Sequence, residues 1–255
     1  MASSSDLRSR LRAGEPVFGA FLNLGSPIAA EIVGRAGFDW LLLDLEHGMG
    51  DEGGLLHVLH AVASTPASAI VRVEELSRLR IARVLDLGAP GVMVPRLESA
   101  EQAREAVSYV RYPPEGIRGA ALLTRGARYG TVAHADLRRI NDEILLTVQI
   151  ESTTAVGAAP AMAAVDGVDV LFVGPTDLTH SMGIPGEFSN SDYLDALAAV
   201  VHAARGSGKQ SGILLQQIED LPRHLEMGFT VVGLSSDGAF LAAGARAASS
   251  GLRPG

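Results

Sequence analysis

The 255-residue chain contains no cysteine and a single lysine, Lys209. The first absence excludes disulfides, thiolate nucleophiles and cysteine-held zinc or iron–sulfur centres, and it suits a reducing compartment. The second leaves a Schiff-base mechanism one candidate amine, in GSGKQSG, ahead of a strand and not at a strand's catalytic end. Aromatic residues are only 5% and the formal charge is -8, which argues against a nucleic-acid surface or an anionic membrane as partner. The segment MASSSDLRSRLRAGEPV lacks the apolar run of a secretory signal, and Gly, Pro or charge breaks every later run before it could span a bilayer. The expectation is a cytoplasmic protein with no membrane partner. HExxH and GxxxxGK[ST] are missing and GVMVPRLESAEQA lacks the GxGxxG spacing, which argues against zinc-protease, P-loop and dinucleotide readings.

Hydrophobic residues make up 47% of the chain and alternate regularly between short and long runs. Eight short runs read as strands: VFGAFL (17–22), DWLLLDL (39–45), SAIVRV (68–73), GVMVPRL (91–97), ILLTVQI (144–150), VDVLFVG (168–174), SGILLQQ (211–217) and FTVVGLS (229–235). Amphipathic helical stretches separate them, and glycine precedes a strand in AGFDW, LGAPGVMV, VDGVDVLFV and EMGFTVV, as expected where a helix stops. Near-continuous apolar strands suit a parallel sheet covered by helices. Eight βα units with no linker predict an α/β fold, a closed (β/α)8 TIM barrel forming one domain over 1–255, with an open doubly wound sheet as the rival. The longest interval, roughly Tyr112 to Asn141, is expected to hold short helices and active-site backbone.

In such a barrel the C-terminal strand ends share one face and carry the chemistry. In chain order they supply Asn23, then Asp44, Glu46 and His47, then Arg72, Arg96, Glu151 and Asp177. Glu151 and Asp177 could hold one oxygen-loving cation, act as general acid and base, or cap helices. His47 is a third ligand or a structural histidine. Arg72 either stabilises an enolate or carboxylate, or forms a salt bridge to Glu46 or Glu74. Arg118, Arg125 and Arg128 could hold acidic substrate groups or make interface pairs.

The segments AGFDWLLLDLEHG, AIVRV, LDLGAPGVMVPRLESAEQA, YPPEGIRG, VQIES, VDVLFVGPTDLTHSMG and GFTVVGLSSD, in that order, resemble the HpcH/HpaI aldolase family of metal-dependent pyruvate aldolases and citrate-lyase-like relatives. The resemblance runs from about Val17 to Leu241. It implies a barrel of the phosphoenolpyruvate/pyruvate type, a homo-oligomer with a hexamer favoured, and exchange of the C-terminal helix between neighbours. It also implies a divalent Mg, Mn or Co ion on Glu151 and Asp177 that is chelated by pyruvate. His47 then works through a water as general acid/base, with Asp86 in VLDLG or the local Asp44 as its partner, and Arg72 stabilises the enolate. The implied reaction is reversible cleavage of a 4-hydroxy-2-oxoacid to pyruvate and an aldehyde. Decarboxylation of oxaloacetate, or another carbon–carbon lyase or synthase reaction at the same centre, is the alternative, and a non-catalytic oligomeric binding protein the outlying one. Met49 and Gly50 replace the family's usual small residue and proline after EHG, and Leu122, Leu123 and Thr124 make the stretch before Arg125 unusually apolar. The acceptor aldehyde is what these departures leave open.

Overall fold

The protein is described by a computed structural model covering residues 4–250 and Leu252. Eight parallel strands close into a barrel in sequence order: β1 (Val17–Leu22), β2 (Trp40–Asp44), β3 (Ser68–Arg72), β4 (Gly91–Val94), β5 (Leu145–Ile150), β6 (Val170–Val173), β7 (Gln210–Leu215) and β8 (Val231–Ser236). Pairing of β1 with both β2 and β8 decides against the open sheet. All eight expected strands are present, each within a few residues of its expected ends.

Strand periodicity sorts the side chains into two cores. Leu41, Leu43, Val71, Val92, Leu146, Val148 and Leu171 face outward into the main core beneath the helices. Val17, Phe21, Trp40, Leu42, Ile70, Met93, Leu145, Val170, Phe172 and Val231 fill the barrel interior. The largest of these fit because glycines stand opposite: a Cβ on Gly19 would lie 2.1 Å from the Trp40 ring, and one on Gly212 would lie 2.3 Å from Phe172. Trp40 and Phe172 pack edge to face at 6.1 Å, a geometry that favours the ring quadrupoles. The barrel is therefore a filled core and offers no channel.

The helices are α1 (Ser4–Arg12), α2 (Pro27–Gly34), α3 (Glu52–Ala63), α4 (Arg78–Asp86), α5 (Ala100–Val110), α6 (Leu137–Asn141), α7 (Thr153–Ala163), α8 (Pro175–Ser181), α9 (Ser191–Gly206), α10 (Leu221–Met227) and α11 (Asp237–Ser249). Ser26, Asp51, Ser77, Ser99, Ser152 and Ser236 each accept a backbone N–H at a helix start, worth about 1 kcal/mol apiece. Helix α1, absent from the sequence reading, places Leu7 and Leu11 in the interior cluster with Val17 and Leu145 at its strand-start end. It plugs the barrel at the end opposite the catalytic mouth.

The long interval holds the expected short helices. However, it joins the end of α5 to the start of β5, so it lies at the strand-start end. Its backbone is remote from this chain's own mouth, a correction to the expected placement. Helix α11 packs beside β1 and β8, with Phe240 stacked on Phe38 at 6.1 Å. Ile28 and Ile32 of α2 and Leu241 of α11 remain exposed. Among the described residues no helix is long and apolar enough to cross a membrane.

Candidate active site

The inward rows of the strands change from apolar to polar as they reach the mouth. On β2 the row Trp40, Leu42 continues to Asp44 and Glu46; on β3 Ile70 is followed by Arg72; on β5 Leu145 leads to Thr147, Gln149 and then Glu151. A cavity of about 370 Å³ opens over this layer, lined by Phe21, His47, Arg72, Gln149, Asp177 and Ser235 among others.

Arg72 is the organising charge. Its side chain is only 7% exposed. Its Nε donates to Asp44 Oδ1 at 2.9 Å and its Nη2 to Asp44 Oδ2 at 2.7 Å. Such a two-point fork fixes the guanidinium plane. Nη1, the nitrogen not bonded to Asp44, lies 3.1 Å from Glu46 Oε2 and 3.4 Å from Gln149 Oε1. The first approach lacks hydrogen-bond alignment, so Glu46 Oε2 has charge attraction but no bonded donor. Burial opposes the Arg72 charge, yet Asp44 and then Glu46 and Glu151 hold its pKa above the ordinary arginine value. The salt bridge and the functional cation are thus one arrangement. The partner is Asp44 first and Glu46 second, while Glu74 pairs with Arg80 instead.

Asp44 is fully committed. Oδ1 also accepts the backbone N–H groups of Glu46 and His47, and Oδ2 accepts Asn23 Nδ2 at 2.9 Å. These bonds shape the turn that delivers His47, whose side chain is 56% exposed with Nε2 3.8 Å from Glu46 Oε2. Met49 follows on the rim, its N–H bound to the Asn23 carbonyl at 2.7 Å and its side chain open to solvent.

Glu151 sits deeper. Oε1 accepts the Arg96 N–H at 2.9 Å, and Oε2 accepts Gln149 Nε2 at 2.6 Å. Arg96 adopts a φ of 58°, a left-handed conformation costly for a non-glycine residue, and thereby turns its N–H toward Glu151. Burial, then the charges of Glu46 and Asp177, push the Glu151 carboxyl up to about 7. Asp177 stands exposed in the first turn of α8. Gly174 lies between: a Cβ there would come within 2.9 Å of Gln149 Nε2 and 3.1 Å of Glu151 Oε2. Gln149 was not singled out from sequence. The available signal was its place two residues before Glu151 on the same inward row, where it bridges Glu151 to Arg72.

Asp86 is not part of this constellation. It ends α4, which runs from the mouth back to the strand-start end, and it is bound by Arg118 Nη2 at 3.2 Å. Arg125 donates to the Leu87 carbonyl and Arg128 to Glu143, so the three arginines form no shared anion site. Lys209 immediately precedes β7 at the same end, remote from the cavity.

The family model for HpcH/HpaI aldolase/citrate lyase matches residues 17–243. The chain is 41% identical over 230 residues to a 5-keto-4-deoxy-D-glucarate aldolase of Klebsiella pneumoniae subsp. pneumoniae, covering 90% of each protein. It is 38% identical over 240 residues to a hydroxypyruvate/pyruvate aldolase of Paraburkholderia phytofirmans, covering 92% of each. The crystal structure of an HpcH/HpaI aldolase/citrate lyase family protein from Burkholderia cenocepacia superposes with a TM-score of 0.93 at 35% identity, over 99% of this chain and 100% of that one. The chain belongs to the HpcH/HpaI aldolase/citrate lyase family and is an enzyme of the lyase type.

Proposed function

We propose that the protein is a divalent-metal-dependent class II aldolase that reversibly cleaves 4-hydroxy-2-oxoacids into pyruvate and an aldehyde. The observation that carries this reading is a fixed buried cation, Arg72, lining one cavity with Asp177 and joined through Gln149 to an electrostatically overloaded carboxylate, Glu151. The aldolase names of the two relatives are consistent with it.

The donor set fits a hard cation. Glu151 and Asp177 offer carboxylate oxygens, the excess negative charge around Glu151 would be offset by a divalent ion, and Gly174 leaves space beside Oε2. Among the described residues no three His, Cys, Asp or Glu side chains converge as a ligand group. Glu151 and Asp177 would hold Mg, Mn or Co, which when bound supplies Lewis-acid polarisation of the 2-oxo group.

The chain's own groups account for the remaining needs. Arg72 Nη1, the guanidinium nitrogen not tied to Asp44, would stabilise the negative charge that develops on the oxo oxygen. Gln149 holds both that nitrogen and Glu151 in register. In cleavage His47, through a water, takes the 4-hydroxyl proton. The C3–C4 bond then breaks, its electron pair stays on C3 as the pyruvate enolate, and the aldehyde leaves. Protonation at C3 releases pyruvate. Met49 gives the rim an apolar lip, so longer hydrophobic aldehydes belong among the acceptors alongside sugar-derived ones.

The experiment is product identification with pyruvate and an aldehyde panel before and after chelation. Aldol formation should disappear on chelation and return with Mg, Mn or Co. Undiminished turnover in metal-free protein would sink the mechanism, and carbon dioxide release from oxaloacetate without aldol formation would move the assignment to the decarboxylase.

The same geometry bears on the partner of His47. Asp44 has both oxygens engaged, and Asp86 lies at the far end of the barrel. We therefore infer that His47 is served by Asp86 of a second copy in a homo-oligomer, for which the exposed Ile28, Ile32 and Leu241 offer apolar contact surface. His47→Ala and Asp86→Asn should each be nearly inactive alone, and mixed assemblies of the two should regain activity. Failure to regain it on subunit mixing would refute the shared site.

A further inference from the structure

The chain buries two arginines against carboxylates at opposite ends of the barrel, and they are held differently. Arg72 grips Asp44 with two parallel bonds. Arg118, whose side chain has no exposure at all, reaches only Asp86 Oδ1, through Nη2 at 3.2 Å. Its Nε and Nη1 are buried without hydrogen-bond partners, as is the hydroxyl of Tyr112, over whose ring the guanidinium lies at 4.4 Å. Leaving such donors unmet costs about 1–3 kcal/mol each, so this arrangement is poor as a purely stabilising ion pair.

What it does is hold Asp86. A carboxylate at the last residue of α4 faces the negative end of the helix dipole, and an adjacent fixed cation offsets that penalty. The single-point contact leaves Oδ2 unclaimed by Arg118, and the Asp86 side chain keeps 27% exposure. The segment after Arg118 closes over the pair. The Gly126 N–H donates to the Asp86 carbonyl, and a Cβ on Gly126 would meet the Leu85 carbonyl oxygen at 2.2 Å and Arg118 Nη2 at 3.1 Å.

We propose that Arg118 is a positioning residue for the reaction: it anchors one oxygen of Asp86 so that the other is presented, charged and oriented, to His47 of the neighbouring copy. This rests on the reading above that Asp86 serves a second copy. Arg118 touches no reacting atom and acts only through Asp86.

The test is a double-mutant cycle in the assembled enzyme. Arg118→Gln should lower kcat by about tenfold to a hundredfold with KM for pyruvate unchanged, the scale seen when an orienting partner is lost. In an Asp86→Asn background the same change should have no further effect on kcat, because the group it positions is already gone. Arg118→Lys, which keeps a cation without the planar fork, should give an intermediate kcat, and its effect should likewise vanish in Asp86→Asn. It carries the cycle alone if Arg118→Gln does not fold. Tyr112→Phe, which removes the orphaned hydroxyl and keeps the ring, should retain kcat. Equal losses from the Arg118 change with and without Asp86, or unchanged kcat in a folded Arg118 variant, would overturn the positioning role alone. Wild-type kcat in Asp86→Asn would overturn the shared-site reading beneath it.

Discussion

Arg72→Met should reduce turnover by about a thousandfold and destabilise the fold by about 3–5 kcal/mol. Both effects have one origin. Among the described residues the guanidinium is the only cation bonded to Asp44 and the nearer of two arginines facing Glu46, the other being the exposed Arg96 at 3.4 Å. Removing it strands two buried carboxylates beside Glu151 and also removes the donor proposed for the developing oxyanion. Arg72→Lys separates the two roles. An ammonium restores charge among Asp44, Glu46 and Glu151, so much of the stability should return. It cannot make the two-point fork and present a third nitrogen to the cavity at the same time, so kcat should stay low. Denaturant unfolding and steady-state kinetics on both variants check this. If Arg72→Lys regained kcat along with stability, fixed geometry at Nη1 would be irrelevant to the reaction.

The barrel was legible because its strands are buried on both faces and carry apolar runs bounded by glycine and by capping serines, signals local enough to read in one dimension. Helix α1 was not legible. SSDLRSRLR is mostly polar, and it is held by Leu7 and Leu11 entering a barrel whose end is assembled from strands far along the chain. Several site residues were legible as strand ends, including Arg72, Glu151 and His47, since a closed barrel brings those ends together. Their pairing was not. Asp44 reads as one more acid beside Glu46, and only the parallel register of β2 with β3, placing Asp44 opposite Arg72, makes it the principal partner. Gln149 was hidden for a related reason: a neutral amide inside an apolar run carries no charge signal until the inward row is known. Asp86 marks the opposite limit: in its own chain it lies at the far end of the barrel from the cavity, so any part it plays in the reaction would have to be played in a second copy.

Glu151 yields the second large effect, in the metal-free protein. Its carboxyl is raised from the ordinary 4.5 to about 7 by burial and by the charges of Glu46 and Asp177. Below pH 4.5 the folded and unfolded chains both carry this proton, and the associated stability is fully present. Between 4.5 and 7 the folded chain keeps the proton while the unfolded chain releases it, so stability falls as pH rises through this window, and the loss is complete above about 7. The expected loss is about 2 kcal/mol, read as a falling Tm in chelated samples from pH 5 to pH 8. Glu151→Gln, neutral at every pH, should flatten that slope and leave the alkaline Tm above that of the unmodified chain. Turnover in the same variant should fall by at least about a hundredfold, because the stabilising amide offers one neutral oxygen where the cation needs an anionic ligand. The two readouts move in opposite directions. A variant more stable at pH 8 yet nearly inactive is the signature of a carboxylate kept buried and strained for binding a cation; a variant that lost stability at pH 8 would show that Glu151 serves the fold instead.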